Sequence, residues 1–371
     1  MSPLPDSVRI ASVRSFGAPL EIVEVPMPEP EAGAVVVRVL ASTICGSDVH
    51  AWHGQIDLPV TLPVMLGHEG VGEVVAVGSG AGRDSVGEEV RLGTRLVWTP
   101  ESCGHCHGCT VLRDETNCSN RRYGMFASCA EFPYCTGTFG DYAYIPPRAG
   151  RVAVPDVVED AWAAAASCAL RTAVRAFERL GGLGVSETVL VQGAGPVGLF
   201  AVAMASALGA RRLIVIDGSP ERLQVAREWG ATDTIEIGQV PDPAARKQAV
   251  LELSDGWGPS VGFEMSGAPG AFPEGLELMG RGGRYLVVGT MGGPPQAVNV
   301  PAIAGKNLDV LGVVSADAGT LAKSLDFMAE RRHQFDWNRV IGATFTLDQA
   351  TEALERMQLQ EAGKPVILPR G

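Results

Sequence analysis

"VLVQGAGPVGLFAVAMASALGA", residues 189–210, runs from an apolar segment through three glycines into an alanine-rich stretch. Gly193, Gly195 and Gly198 stand in GxGxxG spacing, with Pro196 and Val197 between the last two. Such a strand–turn–helix lets backbone N–H groups and a helix N-terminus approach a pyrophosphate. The spacing alone is weak, because glycines in these turns are often only packing devices. The apolar strand before it and the helix after it supply the context the mechanism needs. The next apolar run ends in Asp217, nineteen residues beyond Gly198. An acidic side chain there accepts both hydroxyls of an adenosine ribose and repels a 2′-phosphate, which favours NAD over NADP. Its competing role is a cap on the following helix. Arg222, one turn into that helix, keeps NADP open.

Outward from this stretch the pattern is strand and helix in alternation. Strands are predicted over 188–192, 212–217, 234–237, 261–265, 284–288 and 308–312. Helices fit over 196–208, 220–229, 242–253 and 270–279, and a Gly/Pro-rich loop joins the fifth strand to the sixth. Continuous apolar strands alternating with helices mean a parallel sheet covered on both faces, and six match a doubly wound dinucleotide-binding sheet. Residues 8–150 instead look β-rich, with runs such as "AVVVRVLAS" and "TRLVW" bounded by Gly and Pro, and no helical period of useful length precedes residue 158. The run "AWAAAASCAL" reads as a buried helix. After residue 313 come a helix, "GTLAKSLDFMAERR", and a tail ending in "KPVIL". The expected organisation is a β-rich domain over 1–169 and 313–371, with the nucleotide domain over 170–312 inserted in it.

A length of 371 residues fits about two domains. The net charge of −12 argues against nucleic-acid binding, which needs clustered cations against phosphate. The first residues lack the apolar core of a signal peptide, and no run reaches the ~18 apolar residues of a membrane span. A cytoplasmic protein acting on a small molecule is expected. In such a reducing compartment its eight cysteines read as ligands or reactive thiols rather than disulfides.

Four of them, Cys103, Cys106, Cys109 and Cys118, stand as C-x2-C-x2-C-x8-C. Thiolates at these intervals close a tetrahedral zinc site with no open position, in a lobe near 99–120. An iron–sulfur cluster is the weaker reading, because the surrounding chain offers no second cluster. His105 and His107 lie in the same loop. A second set is dispersed: "TICGSDVH" holds Cys45, Ser47, Asp48 and His50; "GHE" holds His68 and Glu69; "AASCALRT" holds Cys168. A Cys, a His and a Cys from three segments make a three-ligand zinc with one position open for chemistry. Each alone reads more simply as a buried thiol or a satisfied histidine.

These residues carry a resemblance. The run Gly67-His68-Glu69-x2-Gly72-x5-Gly78-x2-Ala81, the cysteine lobe, GxGxxG and the acidic strand end fall in the order seen in the zinc-dependent medium-chain dehydrogenase/reductase family, the alcohol and polyol dehydrogenase group. The similarity covers nearly the whole chain. One departure is the last lobe spacing, eight residues where the family usually has seven; Cys129 and Cys135 are also extra to the pattern. The resemblance implies a Rossmann domain inserted in a GroES-like catalytic domain, two zinc ions per chain, NAD(H), and a homodimer or homotetramer. It implies a catalytic zinc on Cys45, His68 and Cys168, with Glu69 beside it or as an alternating ligand. Asp48 would then accept the N–H of His68 and fix its tautomer.

The implied reaction is reversible oxidation of an alcohol to a carbonyl. Ser47 takes the proton from the substrate and His50 delivers it to solvent, a role that suits imidazole with its ordinary pKa near ~6.5. Thr172 matches a family residue that packs on the nicotinamide, and Val288 one that meets its carboxamide. Lys364 reads as a pyrophosphate or site cation, against a plain surface lysine. Trp52, Trp98 and Phe139 fall where relatives line the substrate cleft, although aromatics near strands are usually core. Ser47 in place of Thr leaves a methyl's extra room, which points to a bulky or cyclic secondary alcohol. The rivals are a polyol or threonine-type amino-alcohol dehydrogenase with Glu69 ligating, and a non-catalytic zinc-stabilised nucleotide-binding protein.

Overall fold

The strand Val35–Thr43 is the spine of the first of two units, residues 1–171 with 315–371. The computed structural model describes residues 4–56, 58–289, 295–359, 361 and 363–370. Val35–Thr43 pairs antiparallel with Glu69–Val77, Tyr142–Ile145 and Lys364–Ile367. The sheet order is Ile341–Phe345, Lys364–Ile367, Val35–Thr43, Glu69–Val77, Arg95–Glu101, Ala149–Ala153. A smaller sheet joins Glu21–Pro26, Ser7–Val13 and Val64–Met65. Val35, Val37, Leu96 and Ile145 are fully buried in one core of this unit. Burying each such side chain contributes about 1.5–3 kcal/mol, which makes the valine runs the main source of the sheet's stability. Register then positions chemistry: Thr43 lies opposite Glu69 on one side and Val366 on the other, so the C-terminal strand carries Lys364 to Glu69.

The β-rich reading of this unit needs correction at three places. A seven-residue helix, Gly46–Trp52, and a four-residue one, His107–Thr110, lie before residue 158. The tail carries a helix over Ala350–Gln358. "AWAAAASCAL" is helical, but its second half, Ala166–Leu170, is a π-helical turn following the α-helix Asp160–Ala165.

The second unit, residues 172–314, holds six parallel strands in the order Asp233–Glu236, Arg212–Asp217, Thr188–Gln192, Val261–Glu264, Arg284–Val287, Asp309–Gly312. The direction of winding reverses between the strands beginning at Thr188 and Val261, the doubly wound arrangement the sequence predicts. The helices Pro196–Ala207, Pro220–Glu228, Pro243–Leu253 and Ala271–Leu278 follow the first four strands in chain order, each near its predicted bounds. Where a Gly/Pro-rich loop alone was expected before the last strand, a seven-residue helix, Val300–Lys306, forms. Pro301 in its first turn costs nothing, because no intrahelical bond is lost there. Among the described residues no helix is long and apolar enough to cross a membrane.

Candidate functional site

Cys45 caps the helix Gly46–Trp52, and Asp48 in its first turn ties this helix to the Gly67–His68 segment. Asp48 is fully buried. Its Oδ2 accepts the Cys45 backbone N–H at 2.8 Å; its Oδ1 accepts the Gly67 N–H at 3.2 Å and lies 3.1 Å from His68 Nδ1. A proton on Nδ1 would complete that contact and turn Nε2 outward as a lone-pair donor. Gly67 has φ +92°, and a Cβ there would collide with Thr138 and Phe139, so only glycine delivers His68 at this angle. Cys168 sits within the π turn; a π turn inserts one residue and re-aims the side chains around it, and such turns recur at functional sites.

Ligand atoms of Cys45, His68, Glu69 and Cys168 lie within 4.8 Å of one another. Hydrogen bonding from Cys168 holds the Cys45 thiol well below its ordinary value, against the opposing effect of burial. Burial acts to lower His68, but the Asp48 carboxylate outweighs it and holds the imidazole above its ordinary value. Glu69 is fully buried, and burial raises it to about 7, opposed by the charge of Lys364. Its Oε2 accepts from Thr43 Oγ1 at 2.5 Å and from Lys364 Nζ at 3.0 Å. Its Oε1 is buried with no hydrogen-bond partner among the described residues. Two thiols, an imidazole and a carboxylate oxygen with free lone pairs form a donor set that fits zinc.

A second cluster lies in the lobe, where the sulfurs of Cys103, Cys106, Cys109 and Cys118 are also within 4.8 Å of one another. The Cys103 N–H donates to Cys118 Sγ at 3.3 Å and Asn120 Nδ2 to Cys103 Sγ at 3.5 Å. Backbone N–H groups of Cys109 and Ser119 pull the Cys106 thiol down to about 5. Donors aimed at sulfur favour thiolates, and four thiolates fit a closed zinc site. His105 is turned away: its Nδ1 lies 2.8 Å from the Cys103 carbonyl oxygen. Cys129 and Cys135 are buried in the core of the first unit; Cys129 Sγ lies 3.5 Å from Ser12 Oγ.

In the second unit Gly193, with φ +95°, turns the chain at the end of the first strand. A Cβ on Gly198 would collide with the Gly193 carbonyl, so this turn and helix pack backbone to backbone. Gly195 caps the twelve-residue helix, with Pro196 and Val197 in its first turn. Asp217 Oδ2 accepts the Ala194 N–H at 2.6 Å and Oδ1 the Ser219 N–H at 2.7 Å. Asp217 therefore braces the glycine turn, while Ser219 caps the following helix. Arg222 Nη1 would stand 3.9 Å from a Cβ on Gly195. Thr172 is half-buried in the first turn of Arg171–Leu180, and Val288 is buried just past the strand Arg284–Val287.

Ser47 and His50 lie three apart on the helix that Cys45 caps, so they share a face. Ser47 Oγ is 3.9 Å from Cys45 Sγ; His50 is exposed, with Nδ1 3.2 Å from Gln55 Oε1. Beside His68 opens a cavity of about 350 Å³ that Trp98 lines, together with Pro100, Tyr123, Met125 and Phe132. Three sequence readings are corrected. Trp52, with its Nε1 donating to the Ala18 carbonyl at 2.6 Å, and Phe139 are buried in the core and do not line this cavity. Lys364 is 2% exposed and paired with Glu69, a cation beside the candidate metal ligands, so the pyrophosphate alternative is the part corrected. The sequence reading also missed Thr43, whose hydroxyl orients Glu69, and Tyr123 on the cavity wall; neither residue belongs to a motif.

Two family models match the chain: "Alcohol dehydrogenase GroES-like domain" over residues 31–156 and "Zinc-binding dehydrogenase" over 196–330. The chain is 36% identical to 5-exo-hydroxycamphor dehydrogenase of Pseudomonas putida over 94% of its own length and 95% of that protein's. It is 32% identical to L-threonine 3-dehydrogenase of Saccharopolyspora erythraea over 96% and 98%. Its structure resembles the crystal structure of an alcohol dehydrogenase from Thermotoga maritima, with TM-score 0.91, 32% identity, and coverage of 98% of this chain and 100% of that one.

Proposed function

The chain belongs to the zinc-dependent medium-chain dehydrogenase/reductase family, whose members are zinc- and nicotinamide-dependent alcohol oxidoreductases, and we propose that its substrate is a bulky, cyclic secondary alcohol oxidised to the ketone with NAD. The observation that carries this reading is the cavity of about 350 Å³ beside His68, walled by Trp98, Pro100, Met125 and Phe132. Burial of each additional CH₂ is worth about 0.8 kcal/mol, roughly fourfold in binding, so such walls reward a ring system over a short chain. Full-length similarity to 5-exo-hydroxycamphor dehydrogenase supports the same class. The experiment is a comparison of NADH formation from bicyclic, linear secondary and primary alcohols. A primary alcohol turned over best would defeat the proposal.

Cys45, His68 and Cys168 would hold one zinc, with Glu69 beside it, and the four lobe cysteines a second. When bound, the catalytic ion supplies Lewis acidity to the substrate oxygen and the nicotinamide accepts the hydride. The chain's own residues do the rest. Asp48 holds His68, Gly67 and Cys45 in one geometry. Ser47 takes the proton from the substrate hydroxyl. His50, one turn on and exposed, passes it to water.

A second reading is favoured by one atom. The unpartnered Oε1 of Glu69 lies in the donor cluster, which suits a polyol- or threonine-type centre with Glu69 ligating, and the similarity to L-threonine 3-dehydrogenase points the same way. Turnover of threonine or sorbitol above that of a bicyclic alcohol would select it.

Cofactor choice rests on Asp217. Asp217→Ala is expected to lower the preference for NAD over NADP by roughly 10- to 100-fold, the scale of a charge-assisted hydrogen bond. Asp217 also braces the glycine turn through both oxygens; Asp217→Asn keeps one of these two acceptors while losing the repulsion of a 2′-phosphate, so it should disturb the turn less than Asp217→Ala. Wild-type preference for NADP would refute the assignment, and Arg222 would then be the phosphate contact.

Assembly is read from the strand Asp309–Gly312. It ends the sheet, and Val310 and Val314 beside it are exposed. The preceding run "GGRYLVVGTMGG" belongs to the same reading, although its residues 290–293 lie outside the described residues. An open apolar edge is an association site, so a homodimer or homotetramer is expected. Light scattering that gives a monomer at micromolar concentration would contradict this.

A further inference from the structure

Glu31, Glu101 and the exposed Arg122 line the cavity beside His68, and the reaction uses none of them. Three of the cavity's other polar side chains are engaged: Thr99 Oγ1 accepts the Gly150 N–H at 3.1 Å, Thr136 Oγ1 donates to the Gly124 carbonyl at 2.8 Å, and the Tyr144 hydroxyl donates to Glu31 at 3.2 Å. Glu101 and Arg122 have no side-chain hydrogen bond or ion pair among the described residues. Their backbones are locked together, Glu101 N–H to the Arg122 carbonyl at 3.0 Å and Arg122 N–H to the Glu101 carbonyl at 2.9 Å. Both also line a second cavity, of about 530 Å³, which His68 does not reach. They therefore line both cavities, whereas His68 lines the first alone.

We propose that the substrate alcohol carries a second, uncharged oxygen acceptor remote from the carbinol carbon, a ketone, and that Arg122 binds it. The inference rests on the alcohol-oxidising reading of the site and specifies its substrate as a hydroxyketone. A guanidinium has only donors, so its ligand must be an acceptor. A carboxylate on the ligand would come up against the free carboxylate of Glu101, whereas a ketone draws no such repulsion. Trp98, Pro100, Met125 and Phe132 take the ring carbons that separate the two oxygens.

The test compares 5-exo-hydroxycamphor with isoborneol, which keeps a bicycle and a secondary alcohol but lacks the ketone. The ratio of their kcat/KM values should fall roughly 10- to 100-fold in Arg122→Leu, the scale of a hydrogen bond from a charged donor, and recover in part in Arg122→Lys. An unchanged ratio overturns the proposal. In the wild type, 4-hydroxycyclohexanone should be preferred to 4-hydroxycyclohexanecarboxylate; the reverse order overturns the uncharged acceptor. Titration of camphor, followed by tryptophan fluorescence, reads Arg122 without turnover. Weaker binding in Arg122→Leu supports the contact, and equal binding overturns it. If the wild type oxidises neither bicyclic alcohol, the substrate reading fails and the camphor titration alone decides Arg122.

Discussion

Cys45→Ala is expected to lower alcohol oxidation by roughly 10³-fold or more while the protein stays folded. The thiol is one of two that converge with His68 and Glu69, and it is the lowered member of the Cys45–Cys168 pair. Loss of the ion removes several kcal/mol of charge stabilisation, and each 1.36 kcal/mol is tenfold in rate. The fold should survive because Asp48 accepts from the Cys45 backbone, which alanine keeps. Cys103→Ala should behave in the opposite way. A closed thiolate site contributes directly to folding, so its loss destabilises the chain before it touches chemistry. Elemental analysis and thermal melting separate the two variants: wild type with two zinc ions, Cys45→Ala with one and a nearly unchanged melt, Cys103→Ala with a lowered melt. One zinc in fully loaded wild type would remove one of the two sites.

Ser47→Ala is expected to cost roughly 10²- to 10⁴-fold in turnover, the usual scale of an acid–base group. Ser47 and His50 share one face of the helix capped by Cys45, so in the proposed relay one short helix and its cap would carry ligand, first acceptor and exit group. His50→Gln should be milder. It should slow oxidation most below neutral pH, where hydroxide cannot substitute for the exit group, and leave zinc content unchanged. The check is the pH profile of both variants with one good alcohol. Full activity of Ser47→Ala across that range would mean that the proton leaves by another path, through a bound water or Glu69.

Much of this was legible in the sequence, for physical reasons that differ by element. Thr188–Gln192 and Arg212–Asp217 fall on the predicted bounds, because buried parallel strands read as unbroken apolar runs with sharp polar ends. The helix Gly46–Trp52 was not legible, because seven residues show too little period and its cap is a cysteine. Val300–Lys306 was missed because Gly and Pro around it read as loop, although proline in a first turn is compatible with helix. The π turn at Cys168 leaves no mark in an alanine-rich run that is helical by propensity. Lys364 gave no local sign of its partner. Strand register alone brings it to Glu69, from the far end of the chain. Trp52 and Phe139 show the limit of reading aromatics by position: both are core.

The central claim, that this zinc dehydrogenase takes hydride from a cyclic secondary alcohol, is tested most directly by isotope. With 5-exo-hydroxycamphor deuterated at the carbinol carbon and NAD as acceptor, one deuterium should appear in the reduced cofactor for each ketone formed. No label from the bicyclic alcohol, with transfer from carbinol-deuterated threonine or sorbitol instead, would contradict it.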